Sequence, residues 1–189
     1  EEMKLEDFFE EYLDYLFQVS PTTATSLGDH RFDGELDDLS RQALTQRISK
    51  YTDFLSRLSR DIDRPKLARS ARADYDILHN EIASTLFSLQ KLRPYQTNPI
   101  VYSSLIASSV YDLLKRDFAP IDDRVRAALS RMRQVPRLVE QARANLESPP
   151  RPHVEVAILQ NQGAVAFYDG EIANFVRGSS LVDEVLEEG

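Results

Sequence analysis

The chain reads as an all-α protein, an antiparallel multi-helix bundle of about seven helices with no sheet. Three observations carry that reading. Apolar residues recur at steps of three and four along nearly the whole chain. Prolines and glycines fall where such runs begin and end. No stretch alternates apolar with polar residues as a half-buried strand must; the β-branched run from Val154 to Ile158 continues into helical periodicity.

Leu5, Phe9, Tyr12 and Leu16 share one face of a first helix. Ser20 before Pro21 reads as an N-cap with proline at the first helical position, opening a short helix that Gly28 closes. A polar turn, Asp29-His30-Arg31-Phe32-Asp33-Gly34, follows, and Ser40 caps the next helix. That helix buries Leu44, Ile48, Tyr51, Leu55, Leu58 and Ile62 and gives its other faces to Arg47, Lys50, Asp53, Arg57 and Arg60. After Pro65 a third long helix turns Tyr75, Leu78, Ile82, Leu86 and Leu89 inward. The short Asp63-Arg64-Pro65 connection makes these two an antiparallel pair. Lys91 to Pro99, with two prolines and Asn98, reads as a loop.

A fourth long pattern presents Tyr102, Leu105, Ile106, Val110, Leu113 and Leu114. Pro120 opens the next helix, with Val125, Leu129 and Met132 on one side, and Pro136 starts another through Leu138, Val139, Ala142 and Leu146. Ser148-Pro149-Pro150-Arg151-Pro152 is excluded from helix, because each proline lacks a donor and restrains the residue before it. Beyond it, Ile158, Val165, Tyr168, Ile172 and Phe175 define one more helix, and a short last one runs from Ser180 to Glu188. The expected division is a helical bundle over residues 1–148, a proline-rich turn at 149–152, and helices over 153–189 that continue into further chain.

Composition narrows function mainly by exclusion. With 42% apolar and 29% charged residues, the 189-residue chain can build a packed core. No run approaches the roughly 20 apolar residues that span a bilayer. The opening Glu1-Glu2-Met3-Lys4 passes straight into an amphipathic pattern and reads as a mature or trimmed start. A net charge of −8 with interspersed signs offers no basic face for nucleic acid or for an anionic membrane surface. The absence of cysteine excludes disulfides, thiol nucleophiles and Cys-ligated zinc, and leaves the compartment open.

Few patterns carry chemistry. The histidines are His30, His79 and His153; neither His79-Asn80-Glu81 nor His153-Val154-Glu155 has the second histidine, one turn on, that a zinc-hydrolase helix requires. The paired acids Glu10 and Asp14, Asp37 and Asp38, and Asp122 and Asp123 read as solvated faces or as first-turn charges favoured by the helix dipole. There is no Gly-x-Ser-x-Gly elbow and no glycine-rich phosphate loop. Two polar segments stand out: Leu27-Gly28-Asp29-His30-Arg31-Phe32-Asp33 and Lys115-Arg116-Asp117-Phe118-Ala119-Pro120. Each reads first as a helix corner, and second as a cleft-lining loop whose His30, Arg31 or Arg116 faces a ligand carboxylate. Tyr95, Tyr102 and Tyr111 read as core or cleft-edge residues.

These segments also carry a family resemblance. Pro21-x-x-Ala24-Thr25-x-x-Gly28-Asp29-His30-Arg31-Phe32-Asp33, then Asn98-Pro99-x-x-Tyr102, then Arg116-Asp117-Phe118-Ala119-Pro120, resemble the large bacterial family catalogued as domain of unknown function 885. Arg131-Met132-x-x-Val135-Pro136-x-Leu138 and Ala142-x-Ala144-Asn145-Leu146 extend the likeness, which covers about residues 7 to 160 in the same order. Many members of that family are candidate lipoproteins or secreted proteins. Its complete members resemble helical zinc metallopeptidases, with a His-Glu-x-x-Pro-Gly-His type motif in their C-terminal half. The resemblance thus implies an N-terminal, non-catalytic helical portion that walls a substrate cleft. It further implies a periplasmic, secreted or lipid-anchored setting, and zinc only through a region this sequence lacks.

No metal ligand transfers to any position here. His30, Arg31 and Arg116 are the expected substrate or interdomain contacts, the rest of a longer protein is the expected partner, and exposed apolar surface is expected to drive self-association. The alternative is a non-enzymatic helical interaction or scaffold module, and the sequence downstream of Gly189 separates the two. The 189-residue chain is expected to bind no zinc and to hydrolyse no peptide; stoichiometric zinc by elemental analysis after a chelator wash would contradict this.

Overall fold

The computed structural model describes all residues, Glu1–Gly189. The chain is all-α, with no strand. In order the helices are α1 (Glu2–Val19), α2 (Pro21–Leu27), α3 (Arg41–Asp61), α4 (Arg69–Phe87), α5 (Pro94–Thr97) and α6 (Ile100–Lys115). They continue with α7 (Ile121–Met132), α8 (Val135–Asn145), α9 (Arg151–Ala166), α10 (Ile172–Val176) and α11 (Val182–Glu188). A π-helical turn at Ser88–Leu92 extends α4, and a second at Phe167–Glu171 joins α9 to α10. None of the helices is long and apolar enough to cross a membrane.

Two compact units interleave along the chain: Glu1–Leu16 with Ser40–Pro94, and Phe17–Leu39 with Tyr95–Gly189. The first is built on α1, α3 and α4. Its core joins Leu5, Phe8 and Tyr12 of α1 to Tyr51, Phe54 and Leu58 of α3 and Tyr75, Leu78 and Ile82 of α4. Phe54 is the centre of an aromatic cluster, with Phe8 and Tyr12 each edge-on at 5.6 Å between ring centroids. Burial pushes the Tyr51 hydroxyl up to about 12. At the edge of this core, Arg57 clamps Glu11 through two hydrogen bonds of 2.7 and 2.6 Å, and holds that carboxyl below its ordinary range. The pair is partly exposed and contributes at most about 1 kcal/mol, so apolar packing dominates this unit.

In the second unit one core cluster joins Val110, Leu113 and Leu114 of α6, Val125, Ala128, Leu129 and Met132 of α7, Ile172 and Val176 of α10, and Val185 of α11. Asp122, in the first turn of α7, accepts hydrogen bonds from Ser179 Oγ (2.7 Å), Ser180 N (2.8 Å) and Ser180 Oγ (2.8 Å), which tie the C-terminal segment to α7. The Ser179 hydroxyl, with both Ser180 donors, holds the Asp122 carboxyl below its usual value.

Several local details differ from the sequence reading, each for a physical reason. Ser40 caps α3 as expected, accepting from Ala43 N at 3.2 Å. Ser20 makes no such bond; instead Asp37 accepts from Thr22 N (3.2 Å) and Thr22 Oγ1 (2.8 Å) and caps α2 from a distant segment. The Lys91–Pro99 stretch, expected as a loop, contains the single turn α5, and the Ser148–Pro152 stretch yields to helix at Arg151. Pro94 and Pro152 both lie in a first turn, where a missing N–H costs nothing. Ile158 and Val165 are exposed rather than inward, and Ala157 and Ala164 are the buried residues of α9. The π turn adds a residue between Val165 and Ile172, which swings the apolar face by about 100°.

Phe54→Ala should cost about 3–5 kcal/mol by emptying the centre of the first core, read as a lower urea midpoint with an unchanged m-value. The Asp122 contribution has a definite sign. It is present above the ordinary carboxylate value of about 3.9 and is lost as pH falls through the lowered folded value. Asp122→Asn should therefore lower stability at neutral pH and flatten its acid dependence, measured by thermal melts across pH 2 to 6.

Candidate functional site

The two polar segments singled out by the sequence meet in the second unit, and buried arginines of α7 hold both. Between α2 and α3 the chain from Gly34 to Leu39 is extended, with neither helix nor strand to satisfy its backbone. Side chains of α7 and α8 satisfy it instead. Ser130 Oγ and Gln134 Nε2 donate to Gly34 O at 2.7 and 2.9 Å, and Arg131 Nε donates to Glu35 O at 2.8 Å. Leu36 N donates to Gln134 Oε1 at 3.1 Å, and Arg137 Nη2 donates to Leu36 O at 2.9 Å. Leu39 N donates to Gln141 Oε1 at 2.9 Å, and Asn145 Nδ2 donates to Leu39 O at 2.6 Å. Positions 130, 134, 137, 141 and 145 step by four, three, four and four, so they form one polar stripe along two consecutive helices.

Arg131 is fully buried, with 0% of its surface exposed. Beyond Glu35 O, it donates from Nη1 to Ser109 O (2.7 Å) and from Nη2 to Thr25 Oγ1 (2.7 Å) and Pro21 O (3.3 Å). One guanidinium therefore joins α2, α6 and the extended segment. Burial lowers its pKa, while Asp33, Asp37 and Asp112 act in the opposite sense. Thr25 Oγ1 accepts from Arg131 and gives its proton to Asp33 Oδ1 at 2.6 Å. The other Asp33 oxygen lies 2.9 Å from His30 Nδ1. A carboxylate only accepts, so His30 donates from Nδ1.

His30 is exposed and stacks face to face on Phe118, with 3.8 Å between centroids and 9° between planes. Arg116 Nη1 donates to Ser26 O at 2.9 Å, and so also binds the corner after α6 to the end of α2. Arg124 fixes that corner from inside, donating to Leu114 O (2.9 Å), Ala119 O (2.9 Å) and Asp117 Oδ1 (3.1 Å). Gly28, at φ 93°, closes α2: its N–H reaches Thr25 O (3.2 Å) and Asp29 N reaches Ala24 O (2.9 Å). Arg31 folds back on Asp29, donating from Nη2 at 2.7 Å and holding that carboxyl below its usual range.

Of the candidate residues, His30 and Arg116 therefore converge on one edge, where the 28–33 loop meets the 115–120 corner. Arg31 lies on the same loop, over the Phe32 ring at 5.3 Å. Sequence reading did not find Arg124 or Arg131, because an arginine on an amphipathic helix reads as solvated. The available signal was their seven-residue spacing, in line with buried Ala128 on the apolar side of α7. His79 stacks on Tyr75, at 6.2 Å between centroids, away from His30 and His153 in sequence and partners. No group of three or more His, Cys, Asp or Glu side chains in the chain could hold a metal ion.

Arg131→Met should destabilise the fold by about 3–5 kcal/mol, because it strands the Pro21, Glu35 and Ser109 carbonyls among buried groups. Arg131→Lys should rescue little of this, since a single ammonium cannot donate in three fixed directions. Denaturant midpoints of the two variants beside the parent chain test both statements.

Among solved structures, the chain is similar to a candidate lipoprotein of unknown function from Shewanella oneidensis, with a TM-score of 0.86 and 28% identity. The likeness covers 97% of this chain and 33% of that one, so the chain spans about a third of the length of the structure it matches. No curated protein matches it significantly. The family model described as "Bacterial protein of unknown function (DUF885)" matches residues 21–187, which takes in both polar segments and the buried arginines beneath them; the chain belongs to that family.

Proposed function

We propose that this chain is the N-terminal, non-catalytic helical portion of a zinc-metallopeptidase-like protein, and that the edge formed by His30, Arg31 and Arg116 is part of one wall of its substrate cleft. The observation that carries the reading is the state of His30. Its ring is fixed on two sides, by Asp33 at Nδ1 and by Phe118 beneath, yet the residue is exposed. An imidazole oriented by a carboxylate and stacked on an aromatic ring is held in one geometry without being used up by the core. Two guanidinium side chains nearby suit a substrate carboxylate.

The coverage of the Shewanella oneidensis structure supports a longer parent protein. Its description as a candidate lipoprotein supports a setting outside the cytoplasm, held by a lipid anchor. These 189 residues do not fit a zinc centre, since no group of three or more His, Cys, Asp or Glu side chains among them could hold the ion. In this reading zinc is held by residues of the longer protein, and this chain contributes shape and charge.

The test compares the longer polypeptide with its variants. Zinc content after dialysis should be stoichiometric, and peptide hydrolysis should depend on it. His30→Ala and Arg116→Ala should each lower kcat/KM by roughly tenfold, equivalent to about 1.4 kcal/mol, with zinc content and melting temperature unchanged. A longer protein that holds no zinc, or variants with unaltered kcat/KM, would overturn the reading in favour of a non-enzymatic interaction module.

A further inference from the structure

Where α6 and α9 pack together they leave a cavity of about 440 Å³, within the roughly 300–1,000 Å³ of small-molecule sites. Positions 103, 107 and 111 of α6 line it, as do positions 160 and 163 of α9 and Phe167 at the start of the π turn. Steps of three and four put each set on one helix face. The lining contains no Asp, Glu, Lys, Arg or His side chain. A charged ligand would be desolvated there without a partner, so the chemistry suits a neutral one. At one end the Tyr111 ring meets Phe167 and Phe175 edge-on, at 6.1 and 5.5 Å between centroids. These rings form a wall against which another flat ring can pack.

Two further observations point to a ligand. Ser103 lines the cavity and is buried, with 3% of its surface exposed. Its hydroxyl finds only Pro99 O, at 3.4 Å, well beyond the roughly 2.5–3.0 Å of an O–H···O hydrogen bond. The donor is left for a group inside the cavity. Gly163 lies in the interior of α9, where glycine weakens a helix relative to alanine. A Cβ at that position would meet nothing within 4 Å, so no neighbour in this chain requires the glycine. Its bare backbone keeps the cavity open instead.

We infer that this cavity binds a small neutral molecule carrying an apolar ring and a hydrogen-bond acceptor. The ring lies against Tyr111 and Phe167, and the acceptor takes the proton of Ser103. These two ends of α6 stand about 12 Å apart along the helix axis, which is room for a molecule of two or three rings. The site shares no residue with the His30 edge, and it stands whether or not the parent protein holds zinc.

The test is a fluorescence titration of the 189-residue chain with prodan, a neutral naphthalene that carries a carbonyl acceptor. Binding should saturate at a single site. Gly163→Leu and Ala107→Leu, which fill the cavity from opposite walls, should each weaken it by at least about tenfold. Gly163→Leu should keep or raise the melting temperature, because its Cβ is unopposed and leucine favours helix. Ser103→Ala should weaken binding by about threefold and move the bound emission to shorter wavelength, since the carbonyl loses its donor. Leu159→Ala, on the exposed outside of α9, should leave affinity and emission unchanged. The inference is overturned by the absence of saturable binding, or by parental affinity in both filled variants. It is equally overturned by an emission that Ser103→Ala does not move, or by loss of binding with Leu159→Ala. Binding that disappears in the longer polypeptide would give the cavity to internal packing, and would also overturn it.

Discussion

The arrangement of α2, α6 and the 34–39 segment depends on one fully buried cation, Arg131. Arg131 has no exposed surface, so every donor it turns inward needs an acceptor. The acceptors are carbonyls of Pro21, Glu35 and Ser109 and the hydroxyl of Thr25, drawn from three parts of the chain. No carboxylate touches it directly; Asp33 acts one hydroxyl away, through Thr25. Most of those acceptors are main-chain carbonyls, so no replacement of the arginine alone can remove them, and losing it strands them among buried groups. The arginine also imposes geometry, because a planar guanidinium accepts only one arrangement of α2, α6 and the 34–39 segment around it.

That geometry explains how an extended segment survives without a sheet. Residues 34–39 are held by Ser130, Gln134, Arg137, Gln141 and Asn145, a helix stripe that answers successive backbone groups as a neighbouring strand would. The segment in turn carries Asp37, whose carboxylate caps α2. Helix start, extended strap and buried arginine therefore depend on one another. Removing any one exposes polar groups that the other two had satisfied.

The same frame accounts for the exposed edge. The Asp33 carboxylate ends the chain of hydrogen bonds that begins at Arg131, and its second oxygen is the one that orients His30. Arg124 performs the parallel task for the corner carrying Arg116 and Phe118. Pro21, Thr25, Asp33, Arg131 and Asn145, all residues of this frame, lie within the stretch that the family model matches.

How much of this was legible in the sequence follows from the range of the forces involved. Helical periodicity, the Ser40 cap and the Gly28 stop are local, set within a few residues, and all three appear in the structure as read. So do the buried faces built on Tyr51, Leu58, Tyr75, Leu78 and Ile82. The offset face of α9 escaped because a π turn changes the helical period by one residue, which no propensity signals. The cap of α2 escaped because its carboxylate lies 15 residues away. Composition and pattern by themselves determined that the chain is helical, where most helices begin, and that it contains no zinc-helix motif. Tertiary structure alone decided that Arg131 is buried, that His30 and Phe118 stack, and which side chains replace a strand, because most of those contacts join positions about 90 to 110 residues apart, beyond the few-residue reach of local pattern.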